Sequence, residues 1–203
     1  MSGMERTSAE PRPELAREEL AALAGAARAF GELLLFELDA ARLGRLQEPE
    51  LAGALAALGV EVPMVDATTQ SGRSALDALA AEFYAALLAP RGGAPPVQSL
   101  WEEGRYEGGA ARRVSELAAM AGVTLDTAAA RGAQVDHLGC VLLLWAEAAQ
   151  SAPAVADAVA AEHLAWATRP LGRLAAGEGF YAAVARATEA LVATLCETRT
   201  SAD

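Results

Sequence analysis

Apolar residues recur every three or four positions along most of the chain. In the first such stretch, Leu20, Leu23, Ala27, Phe30 and Leu34 are spaced to form one face of a helix. Alanine and leucine, which both favour helices, dominate the later stretches as well. No convincing run alternates apolar with polar residues, as a half-buried strand would. The pattern predicts an all-α protein.

Residues that start or end helices divide the pattern into about seven or eight helices. Pro13, Ser74 and Asp136 are placed to open helices, because proline suits a first turn and the other two suit N-caps. Pro170 and Gly172 are expected to end or kink a helix. A turn over residues 151–153 should form a hairpin from the two helices around it. The predicted helices cover residues 13–38, 48–58, 74–89, 110–121, 136–149, 155–166 and 178–196.

The domain organisation follows from length and local composition. Residues 1–12 are polar and contain prolines, which predicts a flexible N-terminal arm. Residues 13–198 are predicted to form one helical domain, since a chain of 203 residues can bury one sizeable core, and 199–203 form a polar tail. Apolar residues make up 53% of the chain, but no run approaches the length of a membrane span, so stable membrane insertion is not expected.

The chain carries 27 acidic and 16 basic residues, a net charge of −11. Such a surface repels nucleic acid and attracts cationic partners, including basic peptides. An equally good interpretation is that acidity keeps an alanine-rich helical protein in solution. The first twenty residues contain charges and no apolar core of a secretory signal, which predicts a cytoplasmic protein.

The chain contains two histidines, and both are candidates for chemistry. His137 follows Asp136 at a predicted helix start, and His163 follows Glu162 on the next helix. Both lie about equally far from the turn at 151–153, roughly 20 Å along each helix, so an antiparallel pair brings them level. The pattern indicates either a functional site or a polar node inside a bundle.

Enzyme signatures are otherwise missing from the sequence. Neither histidine has a glutamate three positions before it, as a di-metal carboxylate bundle requires, although a site of two histidines and one carboxylate stays open. The chain has no lysine and so no lysine-containing phosphate loop, and it has no nucleophile elbow. Cys140 and Cys196 fall among apolar residues without metal-ligand spacing, which predicts buried free thiols.

Three blocks stand out in order along the chain: residues 82–90 (EFYAALLAP), 95–101 (PPVQSLW) and 136–139 (DHLG), the last followed by 162–166 (EHLAW). Together they resemble the TorD/DmsD/NarJ-type maturation chaperones of molybdenum-containing oxidoreductases. The matching family features are an aromatic-x-x-Leu-Phe segment, a proline-rich connection and an Asp-His-x-Gly signature. Where the family has Glu-Pro before Asp-His, this chain has Ala133, Gln134 and Val135. The resemblance implies a TorD-like single-domain helical bundle.

The resemblance also implies a function. It indicates a cytoplasmic chaperone, without enzymatic activity or a cofactor of its own, that binds the twin-arginine signal peptide of a molybdoenzyme catalytic subunit until cofactor insertion is complete. An apolar groove can hold the apolar part of such a signal, and carboxylates can pair with its arginines. In that interpretation Asp136 contacts arginine, and His163 and Trp166 form a supporting layer. The implied peptide-binding residues are Tyr84, Leu87, Leu88, Pro96, Trp101, Asp136, His137, Leu138 and Gly139.

Two alternatives remain open from the sequence. A metal-dependent or nucleotide-hydrolysing all-α enzyme would use Asp136, His137 and His163. A structural helical adaptor would dimerise, and the long connection over residues 90–109 allows dimerisation by helix exchange, so both monomer and homodimer are open. The sequence does not identify the cargo enzyme.

Overall fold

The apolar stripes of the sequence become the packed helices of a bundle. A computed structural model describes residues 16–89, 93–126, 128, 132–198 and 200, and this part of the chain contains no β-strand, as the all-α prediction requires. A π-helical segment, Tyr84–Leu88, extends α4, and a 3-10 turn, Ala165–Ala167, separates α8 from α9. The α-helices are α1 (Arg17–Leu35), α2 (Ala40–Leu46), α3 (Pro49–Ala57), α4 (Gln70–Phe83), α5 (Gln98–Glu103), α6 (Gly109–Met120), α7 (Leu138–Ser151), α8 (Pro153–His163), α9 (Thr168–Ala175) and α10 (Phe180–Glu197).

Helix α7 is the centre of the bundle, with ten of its fourteen residues buried. Its closest crossing is with α1, where Gly31 and Gly139 face each other. A Cβ added to Gly139 would lie 2.7 Å from the Gly31 carbonyl oxygen and 2.5 Å from Leu35 Cγ. Real Cβ atoms do not approach so closely, so the two helix backbones can be this close only because glycine has no side chain.

The C-terminal half confirms the predicted hairpin and corrects the segment after it. Helix α7 ends at Ser151 and α8 begins at Pro153, as the turn prediction requires. Pro170 and Gly172, however, lie inside α9 and do not end a helix. Pro170 is the third residue of α9. A backbone N–H at this position has no acceptor within the helix, so proline, which lacks that N–H, is tolerated there. The break falls earlier, at Leu164, where the chain turns into the 3-10 segment.

The predicted helix starts at Ser74 and Asp136 differ from the structure. Helix α4 begins at Gln70 and not at Ser74, because the Thr69 side chain accepts a hydrogen bond from the Gly72 N–H (3.1 Å). Helix α7 begins at Leu138, with His137 and not Asp136 as its N-cap. The predicted start at Pro13, the arm at 1–12 and most of the tail lie outside the described residues.

Two further findings concern the described residues alone. None of their helices is both long and apolar enough to cross a bilayer. They also contain no group of three or more His, Cys, Asp or Glu side chains arranged to hold a metal ion, so no such cluster supports the metal-site hypothesis. Cys140 is a buried free thiol, and the partly buried Cys196 donates its S–H to the Ala160 carbonyl at 3.6 Å. Burial raises the pKa of Cys140 to about 11, which keeps that thiol protonated near neutral pH.

Candidate functional site

The first sequence block forms the π-helical segment Tyr84–Leu88. Its widened turn is closed by the Ala89 N–H, which donates to the Tyr84 carbonyl at 2.8 Å. Leu87 points into the core and is 1% exposed, whereas Tyr84 and Leu88 are 57% and 51% exposed. Short π-helical insertions of this kind are frequent at functional sites. The segment therefore presents two large apolar side chains to the outside while Leu87 anchors it.

The second block connects the first to the third through its backbone. The Ala94 N–H donates to the Ala86 carbonyl (2.9 Å), and the Leu138 N–H donates to the Pro96 carbonyl (2.7 Å). Val97 and His137 form an isolated antiparallel bridge. The backbone of 94–97 thus joins the π-helical segment to the start of α7. The structure brings together three blocks that are far apart in sequence.

Asp136 lies beneath this connection and is fully buried. One carboxylate oxygen, Oδ2, accepts hydrogen bonds from the backbone N–H of Ser99 (2.8 Å) and from the Ser99 hydroxyl. Ser99 is in the first turn of α5, where backbone N–H groups lack intrahelical acceptors, so Asp136 caps that helix from a distance. This position holds α5 against the start of α7, and it gives the Asp136 carboxylate no access to solvent.

His137 is buried at the N-terminus of α7. Its Nδ1 atom accepts a hydrogen bond from the Gly139 N–H at 3.1 Å, which places the ring proton of the neutral form on Nε2. Burial lowers the pKa of His137 to about 4, so the ring is neutral at physiological pH. As a neutral ring, His137 forms part of an apolar wall and caps its helix without adding charge.

His163 belongs to a second buried hydrogen-bond network centred on Gln98. The Gln98 amide nitrogen donates to Glu102 Oε1 (2.9 Å) and to the Glu162 carbonyl (3.3 Å), which leaves its oxygen to accept from His163 Nδ1 (2.7 Å). Burial, and after it the charge of Arg113, lowers the pKa of His163. The Gln98 backbone N–H donates to the Asp136 carbonyl (3.1 Å). Neighbouring residues, Gln98 and Ser99, therefore link the elements that carry the two histidines.

Above these networks lies an apolar cavity of about 270 Å³. The π-helical segment supplies one wall, the second block supplies another, and His137 forms part of the floor. We call it the apolar cavity. It is lined by Leu34, Leu35, Phe83, Leu87, Leu88, Pro95, Val97, Tyr106, Gly132, Ala133, Gln134 and His137.

A wider groove of about 600 Å³ adjoins the apolar cavity, and the two share Leu88, Pro95 and Tyr106 as common walls. Trp101 lies in this groove and is fixed by a hydrogen bond from its Nε1 to the Pro95 carbonyl (2.8 Å). We call it the arginine groove. It is lined by Leu88, Ala89, Gly93, Pro95, Leu100, Trp101, Tyr106, Arg169 and Arg173.

The predicted site residues fall into two layers. Leu87, Leu88 and His137 line the apolar cavity, and Trp101 lines the arginine groove, whereas Tyr84 is exposed outside both sets. Pro95 takes the lining position expected of Pro96, whose carbonyl bonds to α7 instead. The remaining predicted residues, Asp136, Leu138, Gly139, His163 and Trp166, are buried.

Sequence reasoning missed five residues that the structure places in or beneath the site. Gln98 and Ser99 lie within the second sequence block, and nothing in the sequence shows which distant partners they bond. Tyr106 lies in a glycine-rich connection that gave no periodic signal. Arg169 and Arg173 are four residues apart, the spacing that places two side chains on one helix face, but the predicted helix end at Pro170 obscured it.

No protein-family model matches the chain, and no curated protein matches it. Among solved structures, it is similar to a protein from Archaeoglobus fulgidus described as a putative redox enzyme maturation protein, with a TM-score of 0.57 and 18% sequence identity. The match covers 84% of this chain and 93% of that one. At this identity the likeness establishes the fold. The all-α, TorD-like fold that the sequence blocks predicted is therefore confirmed.

Proposed function

We propose that this protein is a cytoplasmic maturation chaperone, not an enzyme, that binds the twin-arginine signal peptide of a molybdenum-containing oxidoreductase subunit. One observation carries the proposal. The three sequence blocks that resemble the chaperone family converge on one apolar cavity, through Leu87, Pro95 and His137. The fold of a redox enzyme maturation protein supports it from a second direction.

The apolar cavity suits the apolar part of a signal peptide. Half of its twelve lining residues are leucine, phenylalanine or proline, and two of the twelve, Leu88 and Tyr106, have exposed side chains. Helix-in-groove recognition places one apolar side chain in such a cavity and others along its border. Burying one leucine side chain in it would contribute on the order of 2 kcal/mol to binding.

The geometry changes the role that we assign to Asp136. Its carboxylate is fully buried and bonded to Ser99, so we propose that it positions α5 and the cavity and does not contact an arginine of the ligand. Glu107 is a better arginine acceptor. It is exposed and lines a pocket that shares Gly132, Ala133 and Gln134 with the apolar cavity. A guanidinium bound there lies next to an apolar segment held in the cavity.

Titration calorimetry with a twin-arginine signal peptide of a molybdoenzyme from the same source tests the proposal. We expect micromolar or tighter binding that weakens when both arginines are replaced by lysines, because lysine cannot pair bidentately with a carboxylate. Glu107→Gln should weaken binding of the arginine peptide more than that of the lysine peptide. Glu61→Gln, at an exposed glutamate in the segment between α3 and α4, is the matched control. A folded, helical protein that binds no such peptide would contradict the proposal.

A further inference from the structure

The arginine groove differs in charge from the rest of this acidic protein. Arg169 and Arg173 lie on one face of α9, and both guanidinium groups stack on Trp101, 5.4 Å and 4.9 Å from its ring centroid. Arg169 also donates to the Trp101 carbonyl at 3.2 Å. Stacking uses the flat face of a guanidinium and leaves N–H groups at its edge for a ligand.

These two arginines lack a carboxylate partner within the described part of the chain. By contrast, Arg28 pairs with Glu147 and Arg45 pairs with Glu32. In a protein whose net charge is −11, two neighbouring arginines without acidic partners give this groove a local positive charge.

The walls of the groove indicate what kind of anion fits. Leu88, Leu100 and Tyr106 provide apolar contact beside the arginines, and the groove continues into the apolar cavity. Its volume of about 600 Å³ exceeds what a single carboxylate or phosphate group fills. A ligand that matches both features carries an acidic group next to apolar side chains and extends along the surface, as a peptide does.

We propose that the arginine groove binds an acidic peptide segment, with a carboxylate between Arg169 and Arg173 and an apolar side chain against Leu88 and Tyr106. This proposal goes beyond signal-peptide binding, because the arginines of a twin-arginine signal would be repelled from this groove. Together with Glu107, which lines the pocket that adjoins the apolar cavity, it gives the binding surface an acidic acceptor and a separate basic groove.

Fluorescence anisotropy with the full-length protein and three labelled peptides tests this inference. The peptides share one helical apolar sequence and end in Glu-Glu, Gln-Gln or Lys-Lys. We expect the Glu-Glu peptide to bind on the order of fivefold more tightly than the Gln-Gln peptide, and the Lys-Lys peptide to bind most weakly. The preference should shrink as salt is raised, because the two arginines are accessible to solvent.

Paired variants assign the effect to the groove. Arg169→Gln/Arg173→Gln should bind the Glu-Glu and Gln-Gln peptides equally, whereas Arg45→Gln/Arg73→Gln removes the same charge elsewhere and should keep the preference. Equal binding of all three peptides by the wild-type protein would overturn the inference. So would binding of a nucleoside triphosphate at Arg169 and Arg173 with no binding of the Glu-Glu peptide. Signal-peptide binding without a Glu-Glu preference would reject this inference alone, and the reverse result would reject only the proposed function.

Discussion

Two regions of this protein have opposite properties. The first, the polar junction, consists of Gln98, Ser99, Asp136 and His163, all at most 1% exposed and linked by hydrogen bonds. The second, the rim, consists of Tyr84, Leu88 and Tyr106, each more than half exposed. The junction fixes where α5, α7 and α8 meet, and the rim exposes large side chains at the surface.

The comparison shows that a strong sequence signature does not by itself mark a cavity-lining residue, because Asp136 is buried away from the cavity that His137 lines. Asp136 and His137 carry the strongest sequence signature, yet one caps α5 and the other caps α7. Leu88 and Tyr106 carry little signature and border the cavity. Changes in the junction and at the crossing of α1 and α7 should therefore alter stability, and changes at the rim should alter binding.

The largest expected effect lies at the crossing of α1 and α7. Gly139→Ala should lower the free energy of unfolding by about 3 kcal/mol, because the new Cβ would overlap the Gly31 carbonyl and Leu35. Urea denaturation measures it. Gly25→Ala on α1 is the control: its Cβ would meet nothing within 4 Å, so stability should rise by about 0.5–1 kcal/mol. Equal effects at the two glycines would show that close helix contact does not matter here.

The two buried histidines predict a loss of stability in acid. Both have a lowered pKa in the folded state, to about 4 for His137, so the unfolded chain takes up protons first as pH falls below about 6.5. The stabilising contribution of the neutral histidines is fully present above that pH. As pH falls towards 4, the free energy of unfolding should decline by on the order of 3 kcal/mol.

Urea titrations between pH 7.5 and 4.5 measure this decline. His137→Asn keeps an N-cap acceptor without a titrating ring, and it should flatten most of the curve. A wild-type protein whose stability is constant over this range would show that the buried rings are not held neutral.

The next effect concerns the junction itself. Asp136→Ala should cost about 2 kcal/mol, because the Ser99 N–H and hydroxyl lose their buried acceptor. Ser99→Ala should cost less, since it removes one donor. The double variant should cost less than the sum of the two. Additive costs from chemical denaturation would mean that the two side chains act independently.

The smallest effect on stability should come from the rim. Leu88→Ser should change the free energy of unfolding by less than about 0.5 kcal/mol, since the side chain is half exposed, while weakening signal-peptide binding several-fold through loss of apolar contact. Met120→Ser is the control for binding, because Met120 is exposed on α6 and lines neither the apolar cavity nor the arginine groove. If Leu88→Ser destabilised the protein as much as Asp136→Ala does, the separation of rim from junction would fail.

Much of the fold could be read from the sequence because it depends on local rules. The apolar stripe of α1, the turn before Pro153 and the helix Phe180–Glu197 all follow from spacing and from helix-stopping residues. Errors arose where two local rules compete. The rule that proline stops a helix predicts a helix end at Pro170, but a proline in the first turn of a helix costs nothing.

The site was harder to predict from the sequence because its geometry depends on long-range pairing. The order of the three blocks indicated that they belong together, and they do converge. Which side chain points inwards depended on contacts such as Ser99 with Asp136, separated by 37 residues, and Gln98 with His163, separated by 65. No periodicity in the sequence encodes such a pair. Asp136 was therefore predicted to contact a ligand, whereas the structure buries it.

The Gly31–Gly139 crossing has a consequence for synthesis of the protein. Helix α1 ends at Leu35, and its main partner α7 begins only at Leu138. At 5–20 residues per second, a ribosome takes roughly 5–20 s to make the roughly one hundred residues between them. During that time the apolar stripe around Phe30 and Leu34 lacks its main partner. A protein proposed to shield unfinished enzymes therefore leaves part of its own core uncovered while it is being made.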